Sequence, residues 1–120
     1  MARIMISDDS DAIRMVLKDM LTLGDHEVVA EATNGIETVE TFEQVKPDLL
    51  LLDIAMPKKD GKAALIDIMT SQPDAKVVMI TASDNMNAIK ECLQKGATRY
   101  ILKPFDSEEL LKVISDVFQT

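Results

Sequence analysis

Cysteine occurs once in this 120-residue chain, at Cys92, so no internal disulfide can form and a reducing compartment suits it. No apolar run approaches the length needed to cross a bilayer, and the apolar part of the N-terminal MARIMISDD is too short for a secretion signal. Linkers, low-complexity tracts and long blocks of one charge are missing as well. Basic residues are the minority: 13 Lys and Arg against 21 Asp and Glu leave a formal net charge of −8. Such a surface repels phosphate backbones, which argues against nucleic acid as a partner and favours cations or basic protein surfaces. Together these absences predict one soluble, cytoplasmic domain over residues 1–120, with no membrane partner and with enough chain for a hydrophobic core of its own.

What is present is an alternation of apolar runs and helical patterns, spaced as repeated βα units. The strand candidates are RIMI (3–6), VVAEA (28–32), LLLL (49–52), KVVMI (76–80) and RYIL (99–102). The first, third and fourth are continuously apolar at their centres, as in strands covered on both faces. The second contains Glu31 and the fifth is short, so both suit sheet edges. Helical spacing links Ile13, Val16, Leu17, Met20 and Leu21 before a stop at Gly24. It recurs at Ile36, Val39 and Phe42; at Leu65, Ile68 and Met69; and at Ile89, Cys92 and Leu93. A last helix opens at Asp106 and Glu109 with capping-box spacing and continues through Leu110, Val113, Ile114 and Val117. The expected fold is α/β: a doubly wound, flavodoxin-like (βα)5 three-layer sandwich with a parallel five-stranded sheet of order 2-1-3-4-5. That order is the known one for such folds and is not an independent deduction from this chain.

In open α/β sheets, sites form beyond the carboxyl ends of the strands where the winding reverses. Asp8 and Asp9 follow the first strand candidate, Asp53 the third, Thr81, Ala82 and Ser83 the fourth, and Lys103 and Pro104 the fifth. Two carboxylates about 4 Å apart repel by roughly 4 kcal/mol at an effective dielectric near 20. Three therefore call for a cation, and oxygen-only ligands point to Mg²⁺. A divalent ion and one ammonium would neutralise the group. Such a site could accept a phosphoryl group, with a carboxylate as nucleophile, Lys103 and the metal on its oxygens, and a hydrogen bond from Thr81.

The segments SDDSD, LLLLDIAMPKKDG, MITAS and YILKPF resemble, in order, the motifs of response-regulator receiver domains, over residues 3 to 118. The resemblance implies a phosphorylation-activated switch of a two-component system rather than a conventional enzyme, with only self-catalysed phosphoryl transfer and dephosphorylation. Asp53 would be the phospho-acceptor, supplied by a sensor histidine kinase or phosphotransfer domain. Asp8, Asp9, Asp53 and the backbone carbonyl of Ala55 would hold Mg²⁺, Asp8 through water, with Mn²⁺ able to substitute. Lys103 would pair with phosphoryl oxygens, and the Lys103–Pro104 bond would be cis. Thr81 and Tyr100 would move as the switch and remodel the surface of the fourth helix, fifth strand and fifth helix for an output protein, as in a chemotaxis-type regulator. A phosphatase is a further possible partner.

Three positions depart from the usual pattern. Ser7 replaces an apolar residue before the acid pair, which predicts a slightly looser strand end. Ala55 and Ser83 are small where many relatives carry larger polar groups, and they bear on phosphoryl lifetime through access to the site. The segment YILKPF lacks the acidic pair of receivers that dimerise through this face, so a monomer is expected. His26 precedes the second strand, at the opposite end from the acids, and is not expected to take part. A phosphorelay carrier, or a receiver cut from a larger regulator, is the nearest alternative. A haloacid-dehalogenase-like phosphatase fits less well, because its general acid position is occupied by Ala55. An FMN carrier fits worst, because SDDSD would repel the cofactor's phosphate.

Overall fold

The structure is a computed structural model and describes residues 1–119; Thr120 and the side chain of Ser83 lie outside that description. The elements run β1 (Arg3–Ser7), α1 (Asp11–Leu23), β2 (Glu27–Ala32), α2 (Gly35–Val45), β3 (Leu49–Asp53), α3 (Gly61–Ser71), β4 (Val77–Ala82), a short 3-10 turn (Ser83–Asn85), α4 (Met86–Gln94), β5 (Arg99–Lys103) and α5 (Ser107–Phe118). All sheet pairings are parallel and the strand order is β2-β1-β3-β4-β5.

Residue alternation along the strands divides the core. Leu50 and Leu52 of β3 join Met5, Val77 and Met79 against Phe42, Leu65, Ile68, Ile89 and Cys92 from α2, α3 and α4. Leu49 and Leu51 point the other way, with Ile4, Ile6, Val78 and Ile80, against Leu17, Leu21, Leu110, Ile114 and Val117 from α1 and α5. A leucine run with no polar alternation is what a strand needs when helices cover both faces. As expected from their sequences, β2 and β5 are the edges; exposed residues recur along them, whereas β1 and β4 expose only a terminal residue and β3 none.

Several boundaries differ from those expected. Asp53 ends β3, Thr81 and Ala82 belong to β4, and Lys103 ends β5, so these side chains are held by ladder pairing rather than by loops. Parallel pairing to the neighbouring strand, such as Asp53 with Ile80 and Thr81 with Leu102, extends each strand past its apolar run. Helix α1 does stop at Gly24, but Gly24 has φ −89° and the left-handed residue is Asp25, at φ 62°. Ser7 is not a loose strand end either. It is buried, and its hydroxyl accepts a 3.0 Å hydrogen bond from Thr38 Oγ1 on α2, which supplies the partner that a hydroxyl in the core requires.

Side chains cap four of the five α-helices: Ser10, Asn34, Asp60 and Asp106 accept from the amides of Ile13, Glu37, Ala63 and Glu109. Helix α4 has no side-chain cap. At the start of α3, the Gly61 amide donates to the Ile54 carbonyl at 2.8 Å, and a methyl group at Gly61 would overlap the Asp53 carbonyl oxygen. This close approach ties the start of α3 to the end of β3. Gly61→Ala is expected to destabilise the fold by about 1–3 kcal/mol, because the obstacle is backbone and cannot rotate away. Urea denaturation checks this; an unchanged midpoint would mean that the loop yields freely.

Candidate functional site

The carboxyl ends of β1, β3, β4 and β5 meet at one edge of the sheet. Asp8 directly follows β1, whose Ser7 pairs with Leu52, so Asp8 stands beside Asp53 at the end of β3. Both are nearly removed from water, with 2% and 5% relative exposure, while Asp9 is exposed. Asp8, Asp9 and Asp53 each offer a carboxylate oxygen within 4.8 Å of the others. Lys103 reaches in from the end of β5: its Nζ donates to Asp8 Oδ2 at 3.0 Å and lies 3.5 Å from Asp53 Oδ1. The Lys103–Pro104 peptide bond is cis.

The electrostatics follow from crowding. Burial, and after it the charge of Asp8, push the Asp53 carboxyl up from 3.8 to about 6, against the pull of Lys103. Burial disfavours the Lys103 ammonium, but its hydrogen bond to Asp8 and the charge of Asp53 outweigh that effect and raise it above the ordinary lysine value. The lysine is therefore firmly cationic and still insufficient to relieve Asp53. A partly buried cluster of hard oxygen donors with unrelieved negative charge fits a hard divalent cation such as Mg²⁺.

Asp8 is held at several points. Its amide donates to the Ala32 carbonyl, its Oδ1 accepts from the Ser10 amide at 2.9 Å, and its carbonyl accepts from Arg14 Nη1 at 2.7 Å. Arg14 also bonds to Asp11 and, at 3.0 Å, to Glu31 of β2. Neither Asp8 nor Asp9 caps α1, because Ser10 does. The Thr81 hydroxyl is buried at the end of β4 and accepts a 2.9 Å hydrogen bond from Asn85 Nδ2. Ala55 lies in the loop after β3 with its side chain exposed. Tyr100 lies further back on β5, partly exposed beside Glu109, Lys112 and Val113 along a shallow cavity. The expectation for the Ser83 side chain falls outside the described residues. His26 accepts from the Ala2 amide at 3.1 Å, at the opposite end of the sheet.

Arg14, Thr38 and Asn85 escaped the sequence reading. Arg14 and Asp11 have the i,i+3 spacing of a helical ion pair, which was a usable signal. Thr38 and Asn85 gave none, since each acts through a partner that only the fold supplies.

A family model for the response regulator receiver domain matches residues 4–115. The chain belongs to this family. It is 40% identical to the chemotaxis protein CheY of Listeria monocytogenes over 114 residues, covering 95% of this chain and 96% of that protein. Against CheY of Bacillus subtilis the identity is 39% over 113 residues, with 94% of each covered. A chain in the crystal structure of the CheX–CheY–BeF3–Mg complex from Borrelia burgdorferi superposes with a TM-score of 0.94 at 33% identity, covering 98% of this chain and 90% of that one.

The raised Asp53 value has a measurable sign. Between about pH 4 and 6 the folded protein holds this proton more tightly than the unfolded chain does. Its contribution to stability is thus fully present below about pH 4 and is lost as pH rises through about 6. In metal-free protein at pH 7.5, Asp53→Asn should raise stability by an amount on the order of 2 kcal/mol. That gap should shrink below pH 5, and urea midpoints in EDTA across this range measure it. A gap independent of pH would contradict the assigned origin.

Proposed function

We propose that this receiver is a CheY-type switch in which Asp53 accepts a phosphoryl group and the α4–β5–α5 face then engages an output protein. The observation that carries the reading is the convergence of two buried carboxylates, a third exposed one and the Lys103 ammonium at the ends of adjacent strands. Asp53 supplies the nucleophile: a carboxylate oxygen attacks the phosphorus of a phosphohistidine, the O–P bond forms, the N–P bond breaks, and the imidazole leaves and takes up a proton. Asp8, Asp9, Asp53 and the Ala55 carbonyl would hold Mg²⁺, with Mn²⁺ able to substitute. Bound there, the ion would neutralise charge on the phosphoryl oxygens. Lys103 forms an ion pair with those oxygens, and the Thr81 hydroxyl, drawn toward them, donates a hydrogen bond. Tyr100 turns inward into the space behind Thr81.

The same site then works in two directions. A phosphoryl group on Asp53 favours the state in which Thr81 and Tyr100 have shifted, and an output protein that prefers this state stabilises the phosphorylated form in return. The exposed, small Ala55 leaves room for water or a phosphatase at the acyl phosphate, and the residue types at Ala55 and Ser83 bear on its lifetime. The donor of the phosphoryl group is a sensor histidine kinase or phosphotransfer domain in the cytoplasm. The single receiver domain over residues 1–120 acts as a monomer, and the names of its CheY relatives favour a chemotaxis pathway over a phosphorelay role. No helix among the described residues is long and apolar enough to cross a membrane.

Incubation with acetyl phosphate, followed by intact mass and peptide mapping, tests this directly. The expected result is a Mg²⁺-dependent gain of one phosphoryl group on Asp53, absent in Asp53→Asn; modification elsewhere, or none, would reject the assignment. Lys103→Ala should still be phosphorylated but should lose the rise in output-partner affinity. Titration of a CheX- or motor-type partner with each form reads that loss, and a retained rise would remove Lys103 from the switch.

A further inference from the structure

Asn85 is an asparagine where a helix N-cap belongs, yet its side chain does not cap. It directly precedes α4, and neither the 3-10 turn nor α4 has a side-chain cap. Its backbone, at φ −103° and ψ 27°, is outside the extended region in which the caps of α1, α2, α3 and α5 sit. The amide group instead reaches back four residues, where Nδ2 donates to Thr81 Oγ1 at 2.9 Å. One side chain therefore faces two competing uses: it can hold the Thr81 hydroxyl, or it can accept from the amides of Asn87 or Ala88 in the first turn of α4.

We infer that Asn85 is a positioning residue that holds Thr81 in the resting state and is released to cap α4 when Thr81 moves. The inference rests on the phosphorylation reading above and extends it to how the end of β4 communicates with α4. In the resting protein the Asn85 bond fixes the Thr81 hydroxyl from the α4 side. When Thr81 shifts toward a phosphoryl oxygen, the bond is lost and the 3-10 turn over 83–85 opens. Asn85 then takes an extended backbone, and its Oδ1 becomes the missing cap. The loss of one hydrogen bond is offset by the gain of another, so the movement of Thr81 is coupled to the start of α4 at little net cost. Exposed Met86 and Asn87, the first residues of α4, are displaced with the turn, which carries the change to the proposed output face.

Two substitutions separate the uses of the side chain. Asn85→Ser keeps a capping hydroxyl but is too short to reach Thr81, so it frees Thr81 while preserving the cap. Asn85→Ala removes both interactions. With beryllofluoride and Mg²⁺ as the phosphoryl mimic, Asn85→Ser should bind about fivefold more tightly than wild type, equivalent to about 1 kcal/mol. Asn85→Ala should lie close to wild type. In a Thr81→Ala background, Asn85→Ser should have no effect, because the bond it breaks is already gone. Hydrogen exchange adds an independent reading: the Asn87 and Ala88 amides should gain protection on beryllofluoride binding in wild type and Asn85→Ser but not in Asn85→Ala.

Equal affinity of Asn85→Ser and wild type, or the same shift in the Thr81→Ala background, overturns the role of Asn85 while leaving the receiver reading intact. Failure of the wild-type protein to bind beryllofluoride with Mg²⁺ overturns the receiver reading and this inference together.

Discussion

Asp8 and Asp53 stand side by side at the ends of neighbouring strands, both almost wholly removed from water, and like charges so placed repel. Much of the surrounding structure keeps them there. The leucines of β3 lock its backbone between two helical layers, and Gly61 lets the start of α3 press against the Asp53 carbonyl. Arg14, Ser10 and Ala32 hold the Asp8 backbone and one of its carboxylate oxygens. Lys103 offsets part of the charge but leaves Asp53 still raised. The fold thus stores an electrostatic deficit at one point, and a divalent cation is the chemistry that would relieve it.

In the proposed switch, rigid strands carry the reacting groups while a short turn carries the response. Asp53, Thr81 and Lys103 are strand residues, fixed by ladder pairing. The segment beyond β4 is different, since it enters α4 through a 3-10 turn with no side-chain cap among the described residues, and Asn85 ties it back to Thr81. Helix termini without caps are easier to rearrange than the strands they follow. On the proposed reading, a small displacement at Thr81 therefore moves the edge of the α4–β5–α5 face without disturbing the sheet.

The edge position of β5 serves the same arrangement. Lys103 at its end reaches inward to the acids, while Tyr100 on the same strand stays partly exposed beside α5. One short strand thus touches the reacting group and the surface that would report it. The buried hydroxyl pair Ser7–Thr38 lies at the β1–α2 contact, where it braces the strand that precedes Asp8.

Most of the fold and most of the acid site were legible in the residues themselves. Short continuous apolar runs between helical patterns fit doubly covered strands, helical spacing sets the faces that cover them, and parallel winding brings the strand ends to one edge. From these rules Asp8, Asp9, Asp53, Thr81 and Lys103 could be gathered before any coordinates, because an apolar run and the polar residues that follow it are local properties. The exact strand limits, the pairing of Ser7 with Thr38, the Arg14 clamp on Asp8 and the diversion of Asn85 to Thr81 were decided by tertiary structure alone. The strand limits follow from ladder pairing with the neighbouring strand, and the other three are hydrogen bonds between groups whose distance depends on how helices settle against the sheet. Local pattern determines which residues face the core; only packing determines which polar group meets which.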